Sequence, residues 1–198
     1  MIFLWDSATA AVIGKKRLPK GSRLVTAIGF SGKGTYLAAS DAAEKITVHL
    51  FKLSDPGTKS IATVSINMKI VHLAWSPNVE EMFATCGKDH MALCTLNGGT
   101  VKVQKGKPAK NDSIESQCSA AWVNNPAYKN ALLTGGSDGK IYHWNGDQVT
   151  KKYENNKGSV HSISCRNDPK VGAEIVLVGG NDKTLTVYRF DGKLTAVW

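Results

Sequence analysis

The side chains best suited to chemistry in this sequence are its histidines and cysteines, and their placement argues against catalysis. His49, His72, His90, His143 and His161 lie in or beside runs that alternate apolar and polar residues. His72 and His161 fall at matching places in two such runs, which marks repetition, not an acid–base pair. Cys86, Cys94, Cys118 and Cys165 are scattered through apolar segments, with no C-x-x-C pair and no His at zinc-ligand spacing. They read as reduced core residues, because a buried free thiol packs as a small hydrophobe. The sequence also lacks a Gly-x-x-x-x-Gly-Lys-Ser/Thr phosphate loop, a His-Glu-x-x-His and a Gly-x-Ser-x-Gly. The expectation is a non-catalytic chain with no cofactor and no metal.

What remains is electrostatic. The formal charge is +9 over 198 residues, with 25 Lys and Arg against 16 Asp and Glu. Such a balance favours an acidic partner: a nucleic acid, an anionic membrane or an acidic protein surface. About half of the cations fall in three clusters: Lys15, Lys16, Arg17, Lys20 and Arg23; Lys102, Lys105, Lys107 and Lys110; Lys151, Lys152 and Lys157. Acids are few there, chiefly Asp112 and Glu154. These clusters are the candidate partner-binding rim. Nucleic acid is disfavoured, because stacking aromatics are nearly absent from these segments apart from Tyr153. No apolar stretch approaches the ~18 residues of a membrane helix, and the start Met-Ile-Phe-Leu-Trp-Asp lacks a signal peptide's basic region, so the chain reads as soluble, intracellular and not membrane-bound.

The elements that must position these residues form a repeat. Four times an apolar run and a small residue lead to an Asp: Asp41, Asp89, Asp138 and Asp182, at spacings of 48, 49 and 44. Gly87, Gly136 and Gly180 each sit two residues before their Asp. A hairpin turn needs Gly for positive φ and Asp to accept turn amides, so these residues are expected to be structural turn positions. Alternating runs flank each turn, another strand precedes and a more polar one follows, giving four strands per ~45 residues, the pattern of a propeller blade. The expected units are residues 22–66, 68–104, 115–154 and 158–198, with 1–15 supplying the last two strands of a further blade.

On these residues the sequence resembles the WD40 family. The chain opens with Ile2-Phe-Leu-Trp5-Asp6, and the same frame holds His49, Cys94, Trp144 and Tyr188 where a Trp-Asp pair is expected. Lys157-Gly158-Ser159-Val160 stands where His-x-x-x-Val is common. The Asp-His-Ser-Trp network of regular WD40 blades is therefore not expected. Thr85-Cys-Gly-Lys-Asp-His90, followed by Leu96-Asn-Gly98, is similar to a segment of the echinoderm microtubule-associated-protein-like (EMAP-like) group. Phe3-Leu-Trp-Asp-Ser7 and Leu132-Leu-Thr-Gly-Gly-Ser-Asp-Gly139 fit the same style. That group's coiled coil and hydrophobic entry motif are not among these residues.

The resemblance implies an all-β, WD40-type β-propeller of which about four and a half four-stranded blades are here, out of about seven in a regular ring. The other blades would be missing or supplied by another chain, since an open arc leaves unpaired sheet edges. It also implies a scaffold that binds protein partners, above all tubulin and microtubules, in the cytoplasm, cytoskeleton or ciliary axoneme. The alternative is a general WD40 adaptor in another complex, of actin-regulatory or ubiquitin-ligase type.

Overall fold

The computed structural model describes residues 1–110, 112–154, 157–170 and 172–198. The first two strands, β1 (Ile2–Trp5) and β2 (Val12–Lys16), pair only with each other. Four antiparallel sheets of four strands follow. The first blade holds β3 (Val25–Phe30), β4 (Tyr36–Asp41), β5 (Thr47–Lys52) and β6 (Ala62–Ser65). The second holds β7 (Ile70–Trp75), β8 (Met82–Gly87), β9 (His90–Asn97) and β10 (Thr100–Lys105). The third holds β11 (Gln117–Trp122), β12 (Ala131–Gly136), β13 (Lys140–Asn145) and β14 (Gln148–Glu154). The fourth holds β15 (Val160–Asp168), β16 (Ala173–Gly180), β17 (Leu185–Phe190) and β18 (Leu194–Ala196).

Burial explains the sequence pattern. The second strand of a blade is covered on both faces by adjacent sheets, so it reads as a nearly continuous apolar run: all six residues of β12 are buried, as are Leu37–Asp41 of β4 and Phe83–Gly87 of β8. The outermost strand is wet on one face and alternates, as Thr100-Val-Lys-Val-Gln-Lys105 does in β10. Leu50, Ile70, Trp75 and Phe83 fill the space between the first two blades. Leu93, Trp122, Leu132 and Trp144 fill the next gap, and Leu133, Ile141, Val176 and Phe190 the one after it. The innermost strands β3, β7, β11 and β15 contact one another in that order, so the blades are arrayed around a common axis. A repeated bond ties them: Trp75 Nε1 donates to Gly29 O and Trp122 Nε1 to Ala74 O, both at 2.9 Å.

Each innermost strand carries a bulge at the same place, between Val25 and Ala27, Ile70 and His72, Gln117 and Ser119, and Val160 and Ser162. This register corrects one expectation. His161 corresponds to Val71, and His72 to Ser162, so the two histidines are not at equivalent positions.

The turns bring a second correction. Gly87, Gly136 and Gly180 are the last residues of their strands, and none has positive φ; that conformation falls on Asp89 (54°), Gly139 (82°) and Lys183 (65°). At Gly87 backbone crowding requires glycine instead, and at Gly136 an added Cβ would force neighbouring side chains to shift. A Cβ on Gly87 would lie 1.8 Å from the Lys69 carbonyl oxygen, and one on Gly136 would lie 2.2 Å from Asp138 Oδ1. Asp41 is likewise a strand residue, paired with Val25 as Gly136 is with Gln117. The connection from β4 to β5 is two residues longer than that from β12 to β13, so the residue matching Trp144 is Phe51, opposite Leu37, and not His49.

Both ends of the arc are uncovered. At one end, Phe3, Trp5, Ile13, Ile28 and Phe30 are 46–67% exposed, beside the unpaired edge of β1. At the other, Leu177, Leu185 and Trp198 are 42–82% exposed. In the interior of the arc the equivalents of Leu177 and Trp5, which are Leu133 and Trp144, are fully buried by the next sheet.

Candidate functional site

One face of the arc is built by the turns between second and third strands together with the loops that lead into each innermost strand. Ser22 Oγ donates to Asp41 Oδ2 at 2.7 Å, Asp89 Oδ1 accepts from Ser116 Oγ at 2.8 Å, Ser137 N donates to Ser116 O at 2.8 Å, and Lys157 N donates to Asp182 Oδ2 at 3.2 Å. The acceptors are suited to this work because a carboxylate can take several amide or hydroxyl donors at once. Asp138 also accepts from Lys140 N and Tyr142 Oη, and Asp182 from the amide and hydroxyl of Thr184. Asp41, Asp89 and Asp182 thus fasten the loops on which many of the cations ride, while Asp138 braces its own turn.

Asp41 differs from the others in being 2% exposed. Burial by itself raises its pKa, but hydrogen bonds from Ser22, His49 and the Thr47 amide outweigh this and hold the carboxyl below its ordinary value. The linkage has a definite sign. A carboxyl with a lowered folded-state pKa contributes stability that is complete above its unfolded value, about 4, and is lost as pH falls through the lower folded value. Asp41→Asn is therefore expected to destabilise the chain by about 1–2 kcal/mol at pH 7, with the gap to wild type closing below pH 4. Urea melts of both proteins across pH 2–7 check this, and a pH-independent gap would refute it.

The structure divides the proposed cationic rim. Lys15, Arg17, Lys20, Lys102, Lys105, Lys110, Lys151 and Lys157 are exposed, on the outer strands and on the loops of this face. Lys16 is not: it is 2% exposed, and its ammonium donates to the carbonyls of Lys52, Asp55 and Gly57 at 3.2, 2.6 and 2.9 Å. Lys152 is half-buried, paired with Asp112 at 2.5 Å and lying 4.6 Å from the centre of the Tyr142 ring. Lys107 remains exposed, but Asp147 sits 3.0 Å from its ammonium and offsets its charge. The segment after β10 crosses the start of β14, where Lys107 bridges to Gln148, and this brings the clusters around Lys105 and Lys151 side by side.

Two features were not anticipated from the residues. A shortened form of the expected-absent network exists in the third blade: Trp144 Nε1 donates to Thr134 Oγ1 at 2.8 Å, which donates to Gln117 Oε1 at 2.5 Å, with Gln117 in place of the usual His. The signal was the Gln at the start of β11, opposite Gly136. On the opposite face, carboxylates clamp the preceding blade's loop. Glu174, fully buried, accepts from the amides of Asn124 and Asn125 and from Asn124 Nδ2 at 2.8–3.1 Å, and Glu80 accepts from Ser31 Oγ and the amides of Lys33 and Thr35.

The thiols are poorly placed to react. Burial pushes Cys94 up to about 12 and raises Cys86, Cys118 and Cys165 as well, so the nucleophilic thiolate is scarce at neutral pH. Among the described residues no three His, Cys, Asp or Glu side chains gather in a metal-binding group. No helix among them is long and apolar enough to cross a membrane.

Comparison with known proteins places this geometry. No family model matches the sequence. The chain is 32% identical over 163 residues to "Ciliary WD repeat-containing protein ctxp80" of Euplotoides octocarinatus, a match that covers 81% of the chain and 22% of that protein. It is 24% identical to human "Echinoderm microtubule-associated protein-like 2", over 95% of the chain and 28% of that protein. It is 31% identical to mouse "WD repeat-containing protein 1", over 61% of the chain and 18% of that protein. The chain thus spans between about a fifth and just over a quarter of the length of these relatives. In structure it superposes on the Cps50 (Swd1) β-propeller domain of Myceliophteria thermophila with a TM-score of 0.78 at 17% identity, covering 98% of this chain and 62% of that one. It superposes on Sqt1 of Saccharomyces cerevisiae with a TM-score of 0.73 at 20% identity, covering 88% and 50%. The repeated four-stranded blades, their axial stacking and these likenesses make the chain an arc of a WD40-type β-propeller, similar in sequence to ciliary and EMAP-like WD repeat proteins.

Proposed function

We propose that this chain is a non-catalytic scaffold that binds microtubules through the cations of the loop face and outer strands, as part of a cytoskeletal or axonemal assembly. The observation that carries the reading is the coincidence of two facts: similarity over 95% of the chain to a microtubule-associated protein-like relative, and a net charge of +9 with ten of the twelve cluster cations exposed. The sign suits an acidic protein surface such as tubulin's. Interactions of this kind act beyond contact distance and are screened over ~8 Å at physiological salt. The uncovered ends and the free edge of β1 favour completion of the ring by further blades, from residues outside 1–198 or from another chain.

Co-sedimentation with microtubules tests the reading. Pelleting is expected at low salt, falling as salt rises and falling again when the acidic tubulin tails are removed; failure to pellet at low salt refutes it. Lys105→Glu with Lys110→Glu is expected to weaken pelleting at least about threefold more than Lys52→Glu with Lys59→Glu, which makes the same change in net charge elsewhere. Equal effects would mean that overall charge, and not this surface, does the binding.

A further inference from the structure

Between the third and fourth blades, on the face opposite the Asp turns, lies a cleft of about 510 Å³. Its principal linings are Tyr128, Lys129, Asn130, His143, Asn145 and Lys151. The walls are fixed by the core. Phe190 is 1% exposed, and the rings of Tyr128 and His143 both meet it edge-on, at 5.2 and 5.1 Å between centroids. Lys129 follows the short 3-10 turn Pro126–Tyr128, whose cap Asn125 is held through its amide by the buried carboxylate of Glu174. Lys151 is the cross-strand partner of His143, so the two share a sheet face.

The charge of the cleft is one-sided. Two lysines, Lys129 and Lys151, are among its lining residues, while no Asp or Glu is, and the Lys151 ammonium lies 4.8 Å from the centre of the Tyr153 ring. The acids nearest in the chain lie outside: Asp147 is paired with Lys107, and Asp191 is exposed on the turn beside Gly192. Burial, and then the charge of Lys151, push His143 below its ordinary value, so at neutral pH it is an uncharged wall that can offer one ring N–H. A neutral guest would leave this lining without a counter-charge, whereas a carboxylate would supply one.

We infer that this cleft binds a glutamate or aspartate side chain of an acidic peptide segment, held between Lys129 and Lys151 against the Tyr128 ring. The amides of Asn130 and Asn145 at the rim supply donors and acceptors for the peptide backbone on either side. The site lies away from the Asp-turn face, and of the cations assigned to microtubule contact it uses only Lys151. Lys151 is common to both assignments and Lys129 belongs to this one alone, so variants at Lys129 distinguish them.

The test is fluorescence anisotropy of a labelled Gly-Glu-Glu-Glu-Glu-Glu-Glu-Gly peptide against the full chain at low ionic strength, with heteronuclear NMR to map the contact. Lys129→Glu with Lys151→Glu is expected to weaken binding about tenfold or more, and Lys105→Glu with Lys110→Glu less than about twofold. Lys129→Gln with Lys151→Gln is expected to fall between, which keeps the measurement decisive should the charge reversals disturb folding. Shift changes are expected at Tyr128, His143 and Gly192. Equal weakening by the two reversal pairs, or shift changes that avoid these residues, would overturn the assignment. Shift changes there with inorganic phosphate but none with the peptide would overturn it as well, since the guest would then be a small anion.

Discussion

Replacing Gly87 with alanine is expected to destabilise the chain by about 3 kcal/mol or more, a loss of ~6–12 °C in Tm for a chain of this size. The added Cβ would stand 1.8 Å from the Lys69 carbonyl oxygen and 2.9 Å from its carbon, and both are backbone atoms that no rotamer change can move. The same carbonyl accepts the Lys88 amide at 3.0 Å, so relief of the clash must open the end of the β7–β8 pair at the bulge. Two other glycines serve as controls. At Gly179 the nearest atom to an added Cβ is 3.8 Å away, so Gly179→Ala should be close to neutral. At Gly98 the space is open but φ is +59°, so Gly98→Ala should cost about 1 kcal/mol through backbone strain alone. Urea denaturation of the three variants separates crowding from conformation. If Gly87→Ala is no worse than Gly98→Ala, the crowding argument fails.

Lys16→Met is expected to cost about 2–4 kcal/mol, a large effect for a lysine that sequence alone groups with surface cations. Methionine keeps the length and apolar stem of the side chain but removes the ammonium that joins the carbonyls of Lys52, Asp55 and Gly57 to β2. Those carbonyls curl around the ammonium because the segment after β5 has left its sheet there, and among them only that of Lys52 has a further backbone donor, the Asp55 amide at 3.3 Å. The damage should be local. Hydrogen exchange is expected to quicken in β1 and β2, which lean on the first blade through Ile2, Leu37 and Phe51, while β11–β18 keep their protection. Lys15→Met, one residue away on the exposed side, should change stability by less than about 0.5 kcal/mol. Lys16→Met should also leave microtubule pelleting unchanged, because a buried ammonium engaged by three carbonyls presents no charge to a partner. Wild-type stability for Lys16→Met would show that the carbonyls find other donors.

These two expectations show how the arc handles polarity. At the end of β8, backbone crowding admits only glycine. Between blades, charged groups bind loop backbones of the neighbouring unit: buried Lys16 takes carbonyls, while buried Glu174 and the partly exposed Glu80 take amides. A backbone group in a loop pressed against another sheet has no ladder partner, and a charged side chain satisfies two or three such groups at once. The surface cations proposed for partner contact are a different population, and only their exposure in the folded chain distinguishes them.

The amino-acid sequence by itself determined the all-β class, the four-fold recurrence and the approximate strand positions. Those follow from apolar period and turn composition, which are local: Lys140-Ile-Tyr-His-Trp-Asn145 can bury itself only as a strand between two others. It also determined that the chain carries excess positive charge. Tertiary structure decided the rest. Counting from a turn could not align Phe51 with Trp144, because two extra residues between β4 and β5 shift the register while leaving the local pattern intact. His161 and His72 lie one residue apart in the register that the two blades share, which only the strand pairing reveals. Nothing in the types of Lys16 and Lys15 separates them, yet alternation along β2 turns one toward the first blade and the other toward solvent. The cleft at Lys129 and Lys151 depends on two blades meeting, and the packing of Tyr128 and His143 on Phe190 joins residues far apart in sequence. Local periodicity specifies which face of an element is buried. What that face meets is a property of the stack.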